Sequence, residues 1–554
     1  MQLNGAAITI ETLIGHGVTD VFGIPGGSVL NLYDELAKRT GRVTHYLTCH
    51  EQGAAHAADG YARSTGRTGV AIATSGPGAT NLVTGIATAY LDSSPLVAIT
   101  GNVPTPLMGK DSFQEVDITG ISMPITKHGF LVKDINYLEK TLAEAFRIAR
   151  SGRPGPVVVD IPKDVQVAEA EFFGGSPLPD LPPNEADADK LQAIVDMVDA
   201  AKRPFIYAGG GFVLSDTSDL LRQFAEKIQA PVGLSLMGLG ALDCQHPLYL
   251  GMTGMHGLPE ATQAQAEADL IVAIGVRFSD RATGNTSTYK ERAKVIHIDI
   301  DDAEIDKNVT ADLSLQGDIR DILPILIDSC QPVDRSEWVS RALDLKEAMR
   351  DEPGKANGEL SPQAIVRAVR GLTQDDTVIV TDVGQHQMWV AQYYGFRQPR
   401  TFLSSGGLGT MGFGMGGAIG ACIARGKKRT VLFTSDGSFH MNMNEFATAV
   451  RFNLPIVVVV IDNSVLGMVR QWQRLFYSGR YAETTLDRPT DYVKLAEALG
   501  GAGFKATSTA DLEQCLKEAF SADCPVLIDC VIDSDFSVYP IIPPGGTFND
   551  MIIG

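Results

Sequence analysis

Thr430-Val-Leu-Phe-Thr-Ser435-Asp436-Gly437 and, a short way on, Pro455-Ile-Val-Val-Val-Val-Ile-Asp462-Asn463 decide the fold. Each is a brief uninterrupted apolar run ending in polar residues, the pattern of a strand buried on both faces. Met443 to Phe452 between them has helical character, so the segment predicts one βαβ unit with a single helix. A right-handed crossover sets Asp436 and Asn463 side by side at the carboxyl edge of a parallel sheet, where open α/β sheets bind ligands. A carboxylate and an amide oxygen at that edge suit Mg²⁺, which takes oxygen ligands and usually shares its shell with phosphates. The same residues also read as a plain turn and a helix cap, so the pair by itself leaves both readings open.

Composition narrows the classes. The chain has 554 residues and a formal net charge of -20, from 66 acidic against 46 basic side chains. That average field repels nucleic-acid backbones and anionic membranes, so an anionic cofactor must be met by local groups. The length suggests several domains, and 57 glycines suit an α/β architecture with many tight strand-to-helix turns. Seven cysteines (Cys49, Cys244, Cys330, Cys422, Cys515, Cys524, Cys530) are scattered, odd in number and without a C-x-x-C pair. They argue against a disulfide framework or structural zinc and read as reduced core thiols. Met1 to Ile10 shows no basic leader, and no apolar run reaches the roughly 20 residues that span a bilayer. The expected location is cytoplasmic, with neither nucleic acid nor membrane as a partner.

Along the chain, short apolar strands alternate with helical patterns, predicting three doubly wound parallel-sheet α/β domains in series. The first, 1–172, carries strands at Val21–Ile24, Val70–Ser75, Leu96–Thr100 and Val157–Ile161. A Pro- and Gly-rich stretch, Gly174 to Pro183, reads as a linker. The second domain, 187–335, has strands at Pro204–Ala208, Leu270–Ile274 and Val295–Ile300, with Gly209-Gly210-Gly211 directly after the first. A break at Asp351 to Gly358 precedes the third domain, 360–535, and a tail, 536–554.

In the first domain, His45-Tyr-Leu-Thr-Cys-His50-Glu51-Gln52-Gly-Ala-Ala-His56 places a glutamate where a strand turns into an Ala-rich helix. Alone it reads as a helix-start residue favoured by the dipole. The loop Thr74-Ser-Gly76-Pro77-Gly78-Ala-Thr-Asn81 follows the next strand. Further on stand Phe113-Gln114-Glu115-Val-Asp117, Pro124-Ile-Thr-Lys127-His128, Gly254-Met-His256-Gly257, Val383-Gly-Gln-His386-Gln-Met-Trp389, Gly407-Leu-Gly409-Thr-Met411-Gly412 and Leu466-Gly467-Met468-Val-Arg-Gln-Trp472. In this order, from Val18 to Gly545, the chain resembles the catalytic large subunits of acetolactate synthase, also called acetohydroxyacid synthase, among the thiamine-diphosphate enzymes.

The resemblance implies decarboxylation of pyruvate and transfer of the two-carbon unit to a second pyruvate or to 2-ketobutyrate, the first common step of branched-chain amino acid biosynthesis. It implies thiamine diphosphate, Mg²⁺ and FAD as cofactors, a homodimer or homotetramer, and a possible small regulatory subunit. Carried over residue by residue, Asp436, Asn463 and the Val465 carbonyl hold the metal. Glu51 bonds N1′ of the cofactor's pyrimidine. Met411 props the cofactor bent. Pro25, Gly26, Pro77, Asn81, Val383, Gly384, Gln385, His386, Gly409, Gly437, Ser438, Gly467 and Met468 match cofactor-contact positions. Gly209, Gly210, Gly211, Gly254, His256, Gly275, Arg277, Asp299 and Asp318 match the flavin pattern, where glycines after a strand admit a pyrophosphate. Gln114 and Lys127 join Glu51 as catalytic positions. Arg281 takes the acceptor's carboxylate in a guanidinium fork, and Trp472 lines its pocket. The family's active site is clasped between the first domain of one subunit and the third of another.

Three departures stand out: Ser435 where Gly is usual, Ser279 where Asp is common, and Met415-Gly416-Gly417 in place of Leu-Pro-Ala. Competing readings are an FAD-independent catabolic acetolactate synthase, another thiamine-diphosphate 2-keto-acid decarboxylase or carboligase, and a catalytically silent nucleotide-binding regulatory protein. Arg277 to Arg281 with Trp472 favours the biosynthetic type, and Glu51, Asp436 and Asn463 speak against the silent one.

Overall fold

Apolar runs such as Val70 to Ala73 and Ile456 to Ile461 are buried on both faces and pair as parallel strands. The structure, a computed structural model, describes residues 1–179, 186–289, 291, 293–348 and 360–553. Positions 180–183 of the predicted linker and the whole 351–358 break lie outside the described residues.

Among the described residues there are three six-stranded parallel sheets and a small antiparallel pair, Gln2–Asn4 with Glu169–Glu171. In spatial order the first sheet is Thr44–Leu47, Asp20–Gly23, Gly69–Ala73, Leu96–Asn102, Pro156–Pro162 and His128–Leu131. The second is Tyr249–Met252, Val232–Leu234, Pro204–Ala208, Leu270–Ile274, Lys294–Asp299 and Leu313–Gln316. The third is Phe402–Leu403, Val378–Thr381, Thr430–Ser435, Ile456–Asp462, Val526–Val531 and Ala502–Ala506.

All three sheets share one topological feature. The chain lays one strand, adds neighbours on one side, then crosses to the other, so the strand order reverses beside Asp20–Gly23, Pro204–Ala208 and Val378–Thr381. Such a reversal leaves a crevice at the carboxyl ends of the two diverging strands. Pro25-Gly26 and Thr74 to Pro77 flank the first crevice, Gly209 to Gly211 and Gly275 the second, and Asp382 to Gly384 and Asp436 the third.

The βαβ unit around Asp436 forms with its two strands paired in parallel, Ser435 opposite Ile461. The single helix predicted over Met443 to Phe452 is corrected to two short ones, Asp436–Asn442 and Glu445–Arg451. The first starts at Asp436 because Ser435, in extended backbone, caps it: its Oγ accepts the Ser438 N–H at 3.3 Å.

The first and third domains meet through two helices, Glu51–Thr65 and Phe413–Ala424. Their crossing is too tight for side chains at the contact. A Cβ on Gly60 would lie 2.2 Å from the Gly417 carbonyl oxygen, and one on Gly420 would lie 1.8 Å from that of Ala57. Ala54, Ala57, Ala58, Phe413 and Ala418 belong to one apolar core around this crossing. The Gly416-Gly417 departure falls here, where a Cβ on Gly416 would press the Gly53 carbonyl oxygen at 2.8 Å. The second and third domains share another core, from Phe212 and Leu239 to Phe396 and Val431. The tail ties across them: the Ile542 N–H donates to Met255 O, and the Val538 N–H to Gln471 Oε1.

Candidate active site

At the third crevice, Asp436 is buried and its Oδ1 has no hydrogen-bond partner. Burial first, and the neighbouring Asp462 carboxylate second, push its carboxyl well above the ordinary range. Asn463 lies at the end of the adjacent strand. Its Oδ1 accepts the Val465 N–H at 3.3 Å, and its Nδ2 donates to Gln385 Oε1 at 3.2 Å. Main chain closes on this pair: a Cβ on Gly467 would meet Gln385 Oε1 at 2.0 Å and Asn463 Nδ2 at 2.8 Å. A Cβ on Gly437 would sit 3.8 Å from Met411 Cε, and Ser438 Oγ donates to Val383 O at 2.9 Å. Val383, Gln385, Met411, Asp436, Gly437, Ser438, Asn463 and Gly467 thus form one neighbourhood. Gly384 and His386 adjoin it, the imidazole driven down to about 3 by burial.

An unpartnered buried carboxylate oxygen beside an amide oxygen fits a divalent cation. No group of three or more His, Cys, Asp or Glu among the described residues could hold a metal by itself. The carboxylate and amide oxygens are themselves hard donors of the kind Mg²⁺ takes, the rest of its shell coming from phosphate and water, and the glycines leave room for a diphosphate.

The loop from Ser404 to Gly412, carrying Gly409 at a φ of 70°, is held from several sides. The Asp92 carboxylate accepts the Gly406 and Gly407 N–H groups at 3.1 and 2.6 Å, and Thr88 and Thr410 share a 2.7 Å hydroxyl contact. Asp382 Oδ1 accepts the Gly412 N–H, and burial pushes that carboxyl up to about 6. Arg63 bridges Asp59 and Asp92 and donates to Ser404 O. Sequence reading missed Asp92 and Asp382, whose role comes from contacts with no local spacing to betray them.

At the first crevice, the buried Glu51 accepts a hydrogen bond from Asn81 Nδ2 at 2.9 Å. A Cβ on Gly78, next to Pro77, would lie 3.3 Å from Glu51 Oε1, and one on Gly26, next to Pro25, would strike Thr74 at 2.5 Å. The Gln114 main chain covers Gly76, with its carbonyl oxygen 2.9 Å from where a Cβ would be. Lys127 stands apart: its Nζ donates to Ile148 O and Ser151 O, and burial lowers it to about 8. Among the described residues, no hydrogen bond or ion pair joins the Glu51 group to Asp436 or Asn463.

Where the three domains meet lies a cavity of about 2010 Å³, with Leu91, Asp92 and Arg150 to Pro154 of the first domain in its wall. It is lined by Gly210, Gly211, His256, Gly275, Arg277, Asp299 and Asp318 from one side and Val383, Gly409, Met468 and Trp472 from the other, with Arg281 at the join. That exceeds the roughly 300 to 1,000 Å³ of an ordinary ligand pocket and fits an extended dinucleotide with a smaller molecule beside it. Gly209 and Gly254 are not on its wall. A Cβ on Gly209 would sit 2.0 Å from Gly275 O, and one on Gly254 would sit 2.6 Å from Arg281 O, so both shape the wall by close packing. His256 is held down to about 4 by burial, its Nδ1 3.2 Å from Pro540 O. Burial pushes Asp299 up to about 6. Asp318 caps the helix Ile319–Ser329 and pairs with Arg320 at 2.6 Å. The Arg281 guanidinium stacks 5.2 Å from the Trp472 ring and donates to the Met255 sulfur at 3.2 Å.

Comparison with known proteins gives matches to three family models. Residues 3–121 match "Thiamine pyrophosphate enzyme, N-terminal TPP binding domain", residues 191–326 the central domain and residues 382–530 the C-terminal TPP binding domain. The chain is 44% identical to the acetolactate synthase isozyme 2 large subunit of Escherichia coli, with 99% of each chain covered. It is also 44% identical to a probable acetolactate synthase large subunit of Methanocaldococcus jannaschii, covering 99% of this chain and 95% of that one. The acetolactate synthase large subunit of Corynebacterium glutamicum is 44% identical, with 99% and 90% covered.

Proposed function

The chain belongs to the acetolactate synthase large subunits of the thiamine pyrophosphate enzymes, and from that premise we propose how its residues divide the work of making acetolactate from pyruvate. The enzyme is thiamine-diphosphate-dependent, with Mg²⁺ and FAD as its further cofactors. When bound, thiamine diphosphate supplies the carbon nucleophile and the electron sink for decarboxylation.

Asp436, Asn463 and the Val465 carbonyl would hold Mg²⁺, while Gly437, Ser438, Gly467 and Met468 bring main chain and a hydroxyl to the diphosphate. The observation that carries this reading is the buried Asp436 oxygen without a partner, beside Asn463. Glu51, oriented by Asn81, would hold and return the proton at N1′. Met411 would prop the cofactor; its Cε comes within 3.8 Å of where a Cβ on Gly437 would be, behind Leu466 and Leu486. Gly210, Gly211, His256, Gly275, Arg277, Asp299 and Asp318 would take FAD along the cavity. Arg281, steadied on Trp472, forks the carboxylate of the second 2-keto acid, either pyruvate or 2-ketobutyrate. Gln114 and Lys127 remain catalytic candidates through the assembly.

The assembly is a homodimer or homotetramer. Supporting it, no hydrogen bond or ion pair among the described residues joins Glu51 itself to Asp436 or Asn463 of the same chain, and the apolar side chains of Phe113, next to Gln114, and of Met123 are 89% and 72% exposed. A small regulatory subunit completes the complex. All seven cysteines are free thiols, in keeping with a reducing cytoplasm, but the reading of all of them as core residues is corrected: Cys49 is exposed and Cys244 and Cys524 are half-buried, beside the buried Cys330, Cys422, Cys515 and Cys530. Among the described residues no helix is long and apolar enough to cross a membrane.

The test is turnover of the purified chain with pyruvate, with and without 2-ketobutyrate, under single omission of thiamine diphosphate, Mg²⁺ and FAD. Acetolactate formation that needs the first two supports the reading. Acetaldehyde as the sole product would replace it with a decarboxylase.

A further inference from the structure

The two backbone amides that lead into Glu51 are held by a residue of another domain. Glu445, with no exposed surface, lies on the helix Glu445–Arg451 of the third domain. Its Oε1 accepts the Cys49 N–H at 3.1 Å and the His50 N–H at 2.9 Å. Its Oε2 accepts the Cys49 N–H at 3.2 Å and the Thr448 hydroxyl at 2.6 Å. The strand before this turn ends at Leu47 and the helix begins at Glu51. The carboxylate therefore takes the donors of a turn that belongs to neither element. It sits at the amino end of a 15-residue helix, where the dipole favours negative charge. Close approach requires Gly53, on which a Cβ would lie 2.2 Å from Glu445 Oε1.

We propose that Glu445 is the positioning residue for Glu51: it fixes the Cys49-His50 main chain from across the domain boundary and so sets where the Glu51 carboxylate stands. The proposal rests on the reading of Glu51 as the residue that exchanges a proton with the cofactor's pyrimidine. Glu445 touches no reacting atom and acts through Glu51. Its helix follows directly on Asp436–Asn442, whose first residue is the candidate metal ligand. One stretch of the third domain thus serves its own metal site at one end and Glu51 at the other.

A purely structural role would lower stability, or cofactor binding and activity together, whereas positioning separates binding from proton transfer. Misplacement of a catalytic group on the order of 1 Å costs up to about a hundredfold in rate. The experiment compares Glu445→Gln and Glu445→Ala with the wild-type full chain in three measurements. These are the affinity for Mg²⁺ with thiamine diphosphate, the exchange of the bound cofactor's C2 proton for deuterium, and hydrogen exchange at the Cys49 and His50 amides of the cofactor-free protein.

For Glu445→Ala the expected result is C2 exchange slowed by about tenfold to a hundredfold, cofactor affinity changed by less than about threefold, and faster exchange at both amides. Glu445→Gln, which keeps one acceptor oxygen, falls between it and wild type. Should Glu445→Ala fail to fold, Glu445→Gln decides on the same three readings. C2 exchange at the wild-type rate, or a loss that follows cofactor affinity in proportion, overturns the proposal. Glu51→Gln is the control. If it leaves C2 exchange intact, the reading of Glu51 fails and takes the proposal with it. If it abolishes exchange while the Glu445 variants do not, the positioning role alone falls.

Discussion

Replacing Trp472 with leucine is expected to shift product choice while leaving the fold in place. The indole lines the cavity wall, stacks 5.2 Å from the Arg281 guanidinium and makes an edge contact with Phe476 at 5.5 Å. Pyruvate and 2-ketobutyrate differ as acceptors by one methylene, worth roughly 1 to 3 kcal/mol in a fitted apolar pocket, so preference should fall by about tenfold or more. The Arg281 side chain is 59% exposed, which puts its stacking energy near the lower limit of about 0.5 to 1 kcal/mol. Loss of that contact should raise the acceptor's apparent KM by only about twofold to fivefold. The edge contact with Phe476 is worth about 0.5 to 1.5 kcal/mol, a fall in Tm of only a few degrees. The assay incubates enzyme with both keto acids and measures the ratio of acetohydroxybutyrate to acetolactate, corrected for substrate concentrations, beside a thermal melt. An unchanged ratio, equal loss of both products, or a collapse of Tm would refute the assignment of Trp472 to acceptor choice.

Glu51→Gln should remove most turnover with little change in cofactor affinity, since the amide keeps its size and its bond to Asn81 but cannot cycle a proton; near-wild-type kcat would end that assignment. Asp436→Ala should raise the Mg²⁺ and thiamine diphosphate requirements together, and titration of each cofactor against the other checks it. A carboxyl whose folded-state pKa is raised binds protons more tightly in the native state, so in metal-free protein Asp436 costs stability as pH climbs from the usual carboxylate range through neutrality. Mg²⁺ should consequently raise Tm more at pH 8 than at pH 6, and equal stabilisation at both would contradict it. Ser435→Gly should cost only a few tenths of a kcal/mol and Ser435→Ala about 0.5 to 1, because the hydroxyl caps the Asp436 helix; a severe loss of activity in the glycine variant would give that hydroxyl a role beyond the cap.

The parts of this molecule visible in the sequence are those written in local pattern. Strands such as Pro204–Ala208 and Leu270–Ile274 match their apolar runs to the residue, because a strand buried on both faces has no polar position to blur its ends. The glycines at the strand ends are legible too, since sharp reversals out of a buried strand favour them there. The single helix expected after Asp436 failed because Ser435 can cap, and a cap at that point starts a helix earlier than apolar spacing suggests. The two-residue strand Phe402–Leu403 is too short for any periodicity. Glu445, Asp92 and Asp382 escaped notice because each acts on backbone amides far away in sequence, and an acidic residue in a helix or turn looks the same whether it caps a distant loop or faces water.

The glycine crossing between Glu51–Thr65 and Phe413–Ala424 also imposes an order on the birth of the molecule. Although alanine favours the helix, 15 residues notched with two glycines are marginal in isolation, and the partner helix is synthesised more than half the chain later. While the ribosome is still making the middle domain, the first domain carries an unfilled alanine face and an Arg63 without the Ser404 carbonyl that it will meet. Long-range closures of this kind are slow, and until closure the exposed face is open to wrong partners. The first domain is therefore finished only after the last, and the turn that aims Glu51 takes its final shape as the third domain docks.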